Sequence, residues 1–591
     1  ARACGPGTRL ARRSRTRITI KHGTQAVLDQ ACRAQTRIQG FLMPFHFSVS
    51  GRARRLRLAV VLLTLASWGF RPVQAADLQA PAAVSVRSKV VVVVMDGLRP
   101  DSVTAQDMPN LYRLSQEGVF FAHHHPVYLS STEVNGTALA TGAYPRHNGL
   151  MANKEYRPTI ELIKPISTEE AGNVSKGDAL SHGRYLLLPT MAEIAEQAGL
   201  SAIVAGTKPV ALLLQRAPRS DGAKPGITVA QGKILPAGQQ QDLEAAENAI
   251  PGVADATKSA NAAQDAWTTR VLIKRLWAQG KTVPDLTMLW LSEPDYAQHG
   301  SGPGSATALA ALKSSDDNLG IMLKTLEASG LRDTTDVLVV SDHGFSTVRR
   351  AIDLVDLLQT AKFNALSKMA KKPVGDEVLV VGNGGSVCLY IPSHDEKLTR
   401  RLVSYLQTTD FAGTIFTRTP MDGTFGLDQV WIDTAAAPEI VVSMRWSAVK
   451  SATGVVGLID SEGLKRGPGQ GNHTSLSRFD MHNTLVASGP DFRRGYVDEL
   501  PSGNSDVAPT VLHILGLKPA AGMDGRILRE AFVHVDAKPP VAQFKTLVAK
   551  VALEGGAMWL QYLKVTQVNA TVYFDEGNAG TEPAATATEM K

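Results

Sequence analysis

Two apolar runs that end abruptly in charged turn residues constrain this chain more than any other feature. Val90-Val91-Val92-Val93-Val94-Met95 runs into Asp96-Gly97, and Val337-Leu338-Val339-Val340 runs into Ser341-Asp342-His343-Gly344. Neither run alternates polar with apolar residues, so each reads as a strand buried on both faces. Strands of that kind belong to parallel sheets covered by helices on both sides. Residues 201–206, 286–291, 378–381, 387–391 and 484–487 give further strands. Helical patterns span 108–118, 190–199, 307–330, 398–408 and 507–515, the first two closed by Gly118 and Gly199. The expected fold class is therefore α/β: a mostly parallel central sheet covered by helices on both faces, with loop and subdomain insertions. Residues 156–182 and 215–265 lack clear periodicity and read as those insertions.

The chain has 591 residues and a formal net charge of +7. That excess comes from its start, because fourteen of the 62 basic residues but only one acid, Asp29, fall within residues 1–76. Beyond that point acids outnumber bases, so no nucleic-acid-binding surface is expected. Residues 1–42 precede the first methionine, Met43, and read as an upstream or non-native extension. Residues 43–76 read as a signal peptide: Arg52, Arg54, Arg55 and Arg57, a short apolar run over 58–65, then Val73-Gln74-Ala75 as a cleavage site. The apolar run is far shorter than the roughly 20 residues needed to span a bilayer. A periplasmic or secreted protein without a stable membrane span is expected.

A catalytic domain is expected over 89–530. Residues 531–591 read as a C-terminal tail: a linker, one strand-like segment over 565–574, and a polar end. Cys4 and Cys32 lie before Met43, so beyond the leader only Cys388 remains. It sits in an apolar strand, where a buried structural role is expected.

The candidate chemistry gathers at the strand ends, where open α/β sheets place their sites. A carboxylate at the end of an apolar strand is costly unless it is paired or metal-bound. Asp96 and Asp342-His343 have that form. Asp295 and His299 follow the run Leu286–Leu291, and His473 stands in the glycine-rich stretch 467–473. Glycines directly after His299 argue against a regular surface helix there. Three carboxylates and three imidazoles form a ligand set suited to borderline divalent metals. Thr132 is the candidate nucleophile, since a coordinated metal lowers the pKa of an oxygen by several units. It also stands where a helix over 133–141 begins, which would turn amides and a positive dipole end toward an anion. His123-His124-His125 reads as a polar turn before Pro126. The set as a whole suggests a two-metal hydrolase of phosphate esters.

These residues carry a resemblance. Asp96-Gly97, Thr132-x-x-Asn135, Thr141-Gly142-x-x-Pro145-x-x-Asn148-Gly149, Asp295-x-x-x-His299, Asp342-His343-Gly344 and His473 resemble the alkaline phosphatase superfamily. Within it the chain most resembles the nucleotide pyrophosphatase/phosphodiesterase branch, from about residue 89 to 528, and Asp524-Gly525-Arg526 is also similar to members' C-terminal parts. The resemblance implies an α/β/α sandwich and two zinc ions. One would be held by Asp96, Thr132, Asp342 and His343, the other by Asp295, His299 and His473. Thr132 would attack a small phosphate-ester substrate and form a phosphothreonine. Asn153 matches the position that donates to a phosphoryl oxygen, and Asn135 would brace the nucleophile turn. Two positions depart from the pattern. Glu133 stands where nucleotide-cleaving members carry an aromatic residue. Lys208 is a candidate for terminal phosphate oxygens, but Val210 stands where monoesterases have arginine, which tilts the reading toward diesters. A phosphomonoesterase or phosphonate hydrolase is the alternative, and a non-catalytic binding protein a weaker one.

Overall fold

A computed structural model describes residues 88–216, 226–251, 261–371, 374–534 and 538–582. The expected leader segments and the polar end after residue 582 lie outside the described residues. At the centre is a nine-stranded sheet in which five adjacent strands run parallel, in the spatial order Thr335–Val340, Lys89–Met95, Leu286–Leu291, Ala202–Gly206 and Ile227–Ala230. Leu485–Ser488 pairs antiparallel with Thr335–Val340 and continues the sheet on that side through Val119–Phe121 and Tyr496–Asp498. On the other side Lys233–Leu235 closes it as an antiparallel edge.

The first strand shows why its run could contain no polar residue. Val90, Val92 and Val94 pack into one core with Met288 and Trp290. Val91, Val93 and Met95 pack into a second, on the opposite face, with Leu289 and Leu291. Alternate side chains of a strand point to opposite faces, so two cores require apolar residues at every position. Helices Pro109–Glu117 and Ala306–Ala328 supply the cover of the second core, through Leu111, Leu114, Leu319, Met322 and Leu326.

Residues 215–265, read as an insertion, contribute in their described part the two edge strands Ile227–Ala230 and Lys233–Leu235 and the helix Gln240–Glu247. Within 156–182, likewise without visible periodicity, lies the helix Ala171–Ser181. The strands expected near 378–391 form at Glu377–Gly382 and Ser386–Tyr390, in a separate six-stranded sheet. Cys388 is fully buried there.

The C-terminal segment differs from the expectation. Where one short strand was read over 565–574, the chain folds as an antiparallel meander of Ala542–Ala552, Met558–Val568 and Thr571–Glu582. Asn569, at φ 55°, turns the chain inside the stretch read as one strand. The meander packs on the strand Ala412–Thr417 and is bound to the rest of the chain. Trp559 is fully buried in the core of the six-stranded sheet, its indole donating to the Gly423 carbonyl. Gln561 both donates to and accepts from the Ile415 backbone, and the Tyr573 hydroxyl donates to Asp506. Among the described residues no helix is long and apolar enough to cross a membrane.

Two predictions follow from this packing. Trp559→Ala should lower unfolding stability by about 3–5 kcal/mol, because a cavity opens in a close-packed core; a denaturation midpoint equal to the parent's would show the meander to be an appendage. Asp336, in the strand Thr335–Val340, is buried against Asp491, and burial pushes its carboxyl up to about 8. The unfolded carboxyl ionises near ~4, so the unfolded chain loses a proton that the fold retains, and stability falls as pH rises from about 4 to about 8. Asp336→Asn should raise the melting temperature at pH 8 and leave it unchanged at pH 4, as read by calorimetry.

Candidate metal centre

The parallel register brings the charged strand ends onto one edge. Met95 pairs with Leu291, Val94 with Val340 and Gly206 with Trp290, so Asp96, Ser341-Asp342, Ser292 and Thr207-Lys208 all emerge side by side. Gly97 makes the first turn at φ +71°, and its amide donates to Asp342 Oδ1 at 2.9 Å. The helix Glu293–Ser301 starts directly after the strand Leu286–Leu291. Asp295 and His299 lie one turn apart on this helix, which is largely buried with the pair facing inward, so they are not the surface pair that the following glycines argued against. His473 arrives from the far side of the chain, after the short strand Gly471–Asn472 that pairs with Ser346–Ile352.

Six of the expected ligands fall into two groups: Asp96, Asp342 and His343, and Asp295, His299 and His473, with ligand atoms within 4.8 Å of one another in each. Every imidazole is aimed the same way. His343 Nδ1 meets the Gly344 carbonyl at 2.9 Å, His299 Nδ1 the Gly471 carbonyl at 3.0 Å and His473 Nδ1 the Ser130 carbonyl at 2.9 Å. A carbonyl only accepts, so Nδ1 carries the proton and Nε2 presents its lone pair inward. Burial holds the imidazoles of His343 and His473 below their ordinary range, in the neutral form that binds metals.

Those lone pairs face carboxylate oxygens. His343 Nε2 lies 3.2 Å from Asp342 Oδ2 and 3.6 Å from Asp96 Oδ1. Asp295 Oδ1 lies 3.3 Å from His299 Nε2 and 3.5 Å from His473 Nε2. These three carboxylate oxygens are buried and accept no hydrogen bond among the described residues. Lone pairs converging without a donor repel, and a cation between them is what the arrangement fits. Burial and the neighbouring Asp342 push the Asp96 carboxyl well above the usual range, and burial pushes Asp342 up to about 6. Burial also acts to raise Asp295, but His299 and Lys208 outweigh it and hold that carboxyl low.

Thr132 begins the wholly buried helix Thr132–Thr141, and its Oγ1 lies 3.3 Å from His343 Nε2. Asn135 locks the turn before it, donating to the Val127, Leu129 and Ser131 carbonyls and accepting from the Val127 amide. The amide of Glu133 donates to Asn153 Oδ1 at 3.1 Å, so the Asn153 amide hydrogens point elsewhere. Glu133 itself is buried, with Oε2 unbonded among the described residues; burial and Glu169 push its carboxyl well above the usual range.

Lys208, the candidate for terminal phosphate oxygens, lies against carboxylates of both groups. Its Nζ donates to Asp295 Oδ2 at 2.7 Å and lies 2.8 Å from Asp96 Oδ2, bridging one carboxylate of each group. It uses the oxygens that face away from the imidazoles, and it lies over the Tyr296 ring.

Several supports gave no signal in the sequence. Trp290 donates its indole N–H to Asp96 Oδ2. Asn504 donates to the Asp342 carbonyl at 2.7 Å and to Asn135 Oδ1 at 3.0 Å, tying the two halves of the first group together. His124, read as part of a polar turn, is fully buried and meets Asn504 and Ser502.

The family described as Type I phosphodiesterase / nucleotide pyrophosphatase matches residues 90–414, more than half of the chain. The chain belongs to this family. Among curated proteins it is 25% identical over 284 residues to ectonucleotide pyrophosphatase/phosphodiesterase family member 7 of Mus musculus, covering 48% of this chain and 56% of the relative. It is 24% identical over 275 residues to venom phosphodiesterase 2 of Crotalus adamanteus, covering 46% and 28%. The chain thus spans only about a quarter to just over half of those relatives' own length. Bis(5'-adenosyl)-triphosphatase enpp4 of Mus musculus matches at 22% over 436 residues, 73% of this chain and 78% of that one. Among solved structures, murine ectonucleotide pyrophosphatase / phosphodiesterase 5 superposes with a TM-score of 0.53 at 18% identity, over 73% of this chain and 96% of that one. The fold is thus the α/β alkaline phosphatase-like fold, in its nucleotide pyrophosphatase/phosphodiesterase branch, and the family is metal-dependent.

If both groups take a metal, titration of the metal-free protein with zinc should give two equivalents and raise the melting temperature. His473→Ala should remove one equivalent while leaving the other. Loss of both, or of neither, would show that the groups do not bind as drawn.

Proposed function

We propose that this chain is an exported two-zinc phosphodiesterase that cleaves phosphodiester or pyrophosphate bonds through a phosphothreonine at Thr132. The observation that carries this reading is the gathering of three inward-facing Nε2 atoms and three unbonded carboxylate oxygens in two groups, with the Thr132 hydroxyl 3.3 Å from His343 of the first. Asp96, Asp342, His343 and Thr132 would hold one ion, and Asp295, His299 and His473 the other. When bound, the ions supply charge to the threonine oxygen and to the leaving oxygen.

The protein's own groups do the rest. The helix that starts at Thr132 points its N-terminal amides and dipole at the reacting phosphoryl group. Asn135 and the Ser131 carbonyl fix the backbone on which Thr132 sits. Asn153, oriented by the Glu133 amide, is placed to donate to a non-bridging oxygen. Attack by Oγ1 forms the Oγ1–P bond and breaks the bond to the leaving oxygen, which departs as the alcohol or phosphate; water then cleaves the phosphothreonine. Lys208 holds Asp96 and Asp295 in register rather than reaching substrate.

That engagement of Lys208 favours a diester. A monoester brings an additional negatively charged oxygen, and a cation at the reaction centre is already shared by two carboxylates. Glu133 beside the nucleophile offers no stacking face for a base, so a nucleotide on that side is disfavoured. Export is supported by the leader-like segment 43–76 and by relatives named for venom and as ectoenzymes.

The test is hydrolysis of bis-p-nitrophenyl phosphate against p-nitrophenyl phosphate. The diester should be preferred, and a zinc chelator should abolish turnover. Thr132→Ala should lower kcat by at least about a thousandfold, and Asn153→Ala by roughly a hundredfold. Preference for the monoester would make phosphatase the better reading; full activity in Thr132→Ala would exclude the phosphothreonine.

A further inference from the structure

A cleft of about 670 Å³ opens from one side of the metal centre. His299, His473 and Asn153 line its inner end; no residue of the Asp96 group does. Its walls bring together Lys154, Lys164, Lys368, Lys465 and Arg466, from four separate segments of the chain. Glu462 is the one acid among the lining residues. None of the five cationic head groups has a hydrogen bond or ion pair among the described residues. This is not the background of the molecule, since acids outnumber bases beyond residue 76.

Like charges converging on a concave surface repel and raise the local potential, and an anion in the cleft offsets both effects. Lys154 already feels this: burial and the nearby Lys465 hold its ammonium below the ordinary range. The walls of the cleft beyond His299 and His473 therefore carry an excess of positive charge.

We propose that this cleft is a leaving-group subsite for a small, soluble alcohol that carries phosphate groups of its own, with Lys465 and Arg466 as specificity-determining residues. The proposal rests on the phosphodiesterase reading, which places the Asp295, His299 and His473 group on the leaving side. The position of Lys465 and Arg466, just past the strand Val456–Glu462, suits contact with groups remote from phosphorus.

The experiment uses bis-p-nitrophenyl phosphate as reporter, whose leaving group has no phosphate. Fructose 1,6-bisphosphate and glycerol 2-phosphate are the inhibitors. The bisphosphate should inhibit competitively and at least about tenfold more tightly than the monophosphate. The variant K465M/R466M should weaken bisphosphate inhibition by about fivefold or more while leaving reporter kcat within about twofold. Equal inhibition by the two compounds, or unchanged bisphosphate inhibition in the variant, overturns the subsite. So does loss of reporter turnover in the variant, which would assign the loop to the metal centre or to folding. If the wild-type protein does not hydrolyse the reporter, the phosphodiesterase reading fails, and calorimetric binding of the bisphosphate to the two proteins still decides the subsite.

Discussion

The site depends on one arrangement: buried imidazoles whose Nδ1 protons are given to backbone carbonyls. Each of His299, His343 and His473 is fixed in this way, so each turns a lone pair toward a carboxylate oxygen. The carbonyls come from Gly471, Gly344 and Ser130, in three distant parts of the chain. Folding therefore sets tautomer and direction together, before any ion arrives. The cost is repulsion among buried acceptors, which the rest of the fold must contain.

Lys208 is how the fold contains much of it. Its ammonium bridges the outward oxygens of Asp96 and Asp295; Trp290 donates to the same Asp96 oxygen, and the Gly97 amide takes up one oxygen of Asp342. What remains unbonded is one oxygen on each carboxylate, the one facing an imidazole. A buried lysine so placed neutralises part of the charge and orients both carboxylates while leaving the inner oxygens free.

Legibility varied with the range of the interaction. The strand Lys89–Met95 was readable because burial on both faces forces an uninterrupted apolar run. Asp96, Asp342 and His343 were readable because a charge at the end of such a run is anomalous. The meander over 542–582 was not readable. Its first strand is largely exposed, and the inner face of the second carries the polar Gln561, which bonds to Ile415 where an apolar residue would have marked the pattern. The glycines after His299 argued against a surface helix, and the helix they close, at Gly302, is largely buried.

By itself the sequence determined the fold class, the family and the residue types at the reaction centre, since these rest on local burial patterns and on spacing along the chain. Tertiary structure alone decided which nitrogen of each histidine points inward and that Lys208 pairs with Asp96 and Asp295. It alone decided that Asn504 ties Asp342 to Asn135, 162 and 369 positions away from it in sequence. Hydrogen-bond partners at such separations leave no periodic trace, because nothing in the local chain registers what the fold will later bring against it.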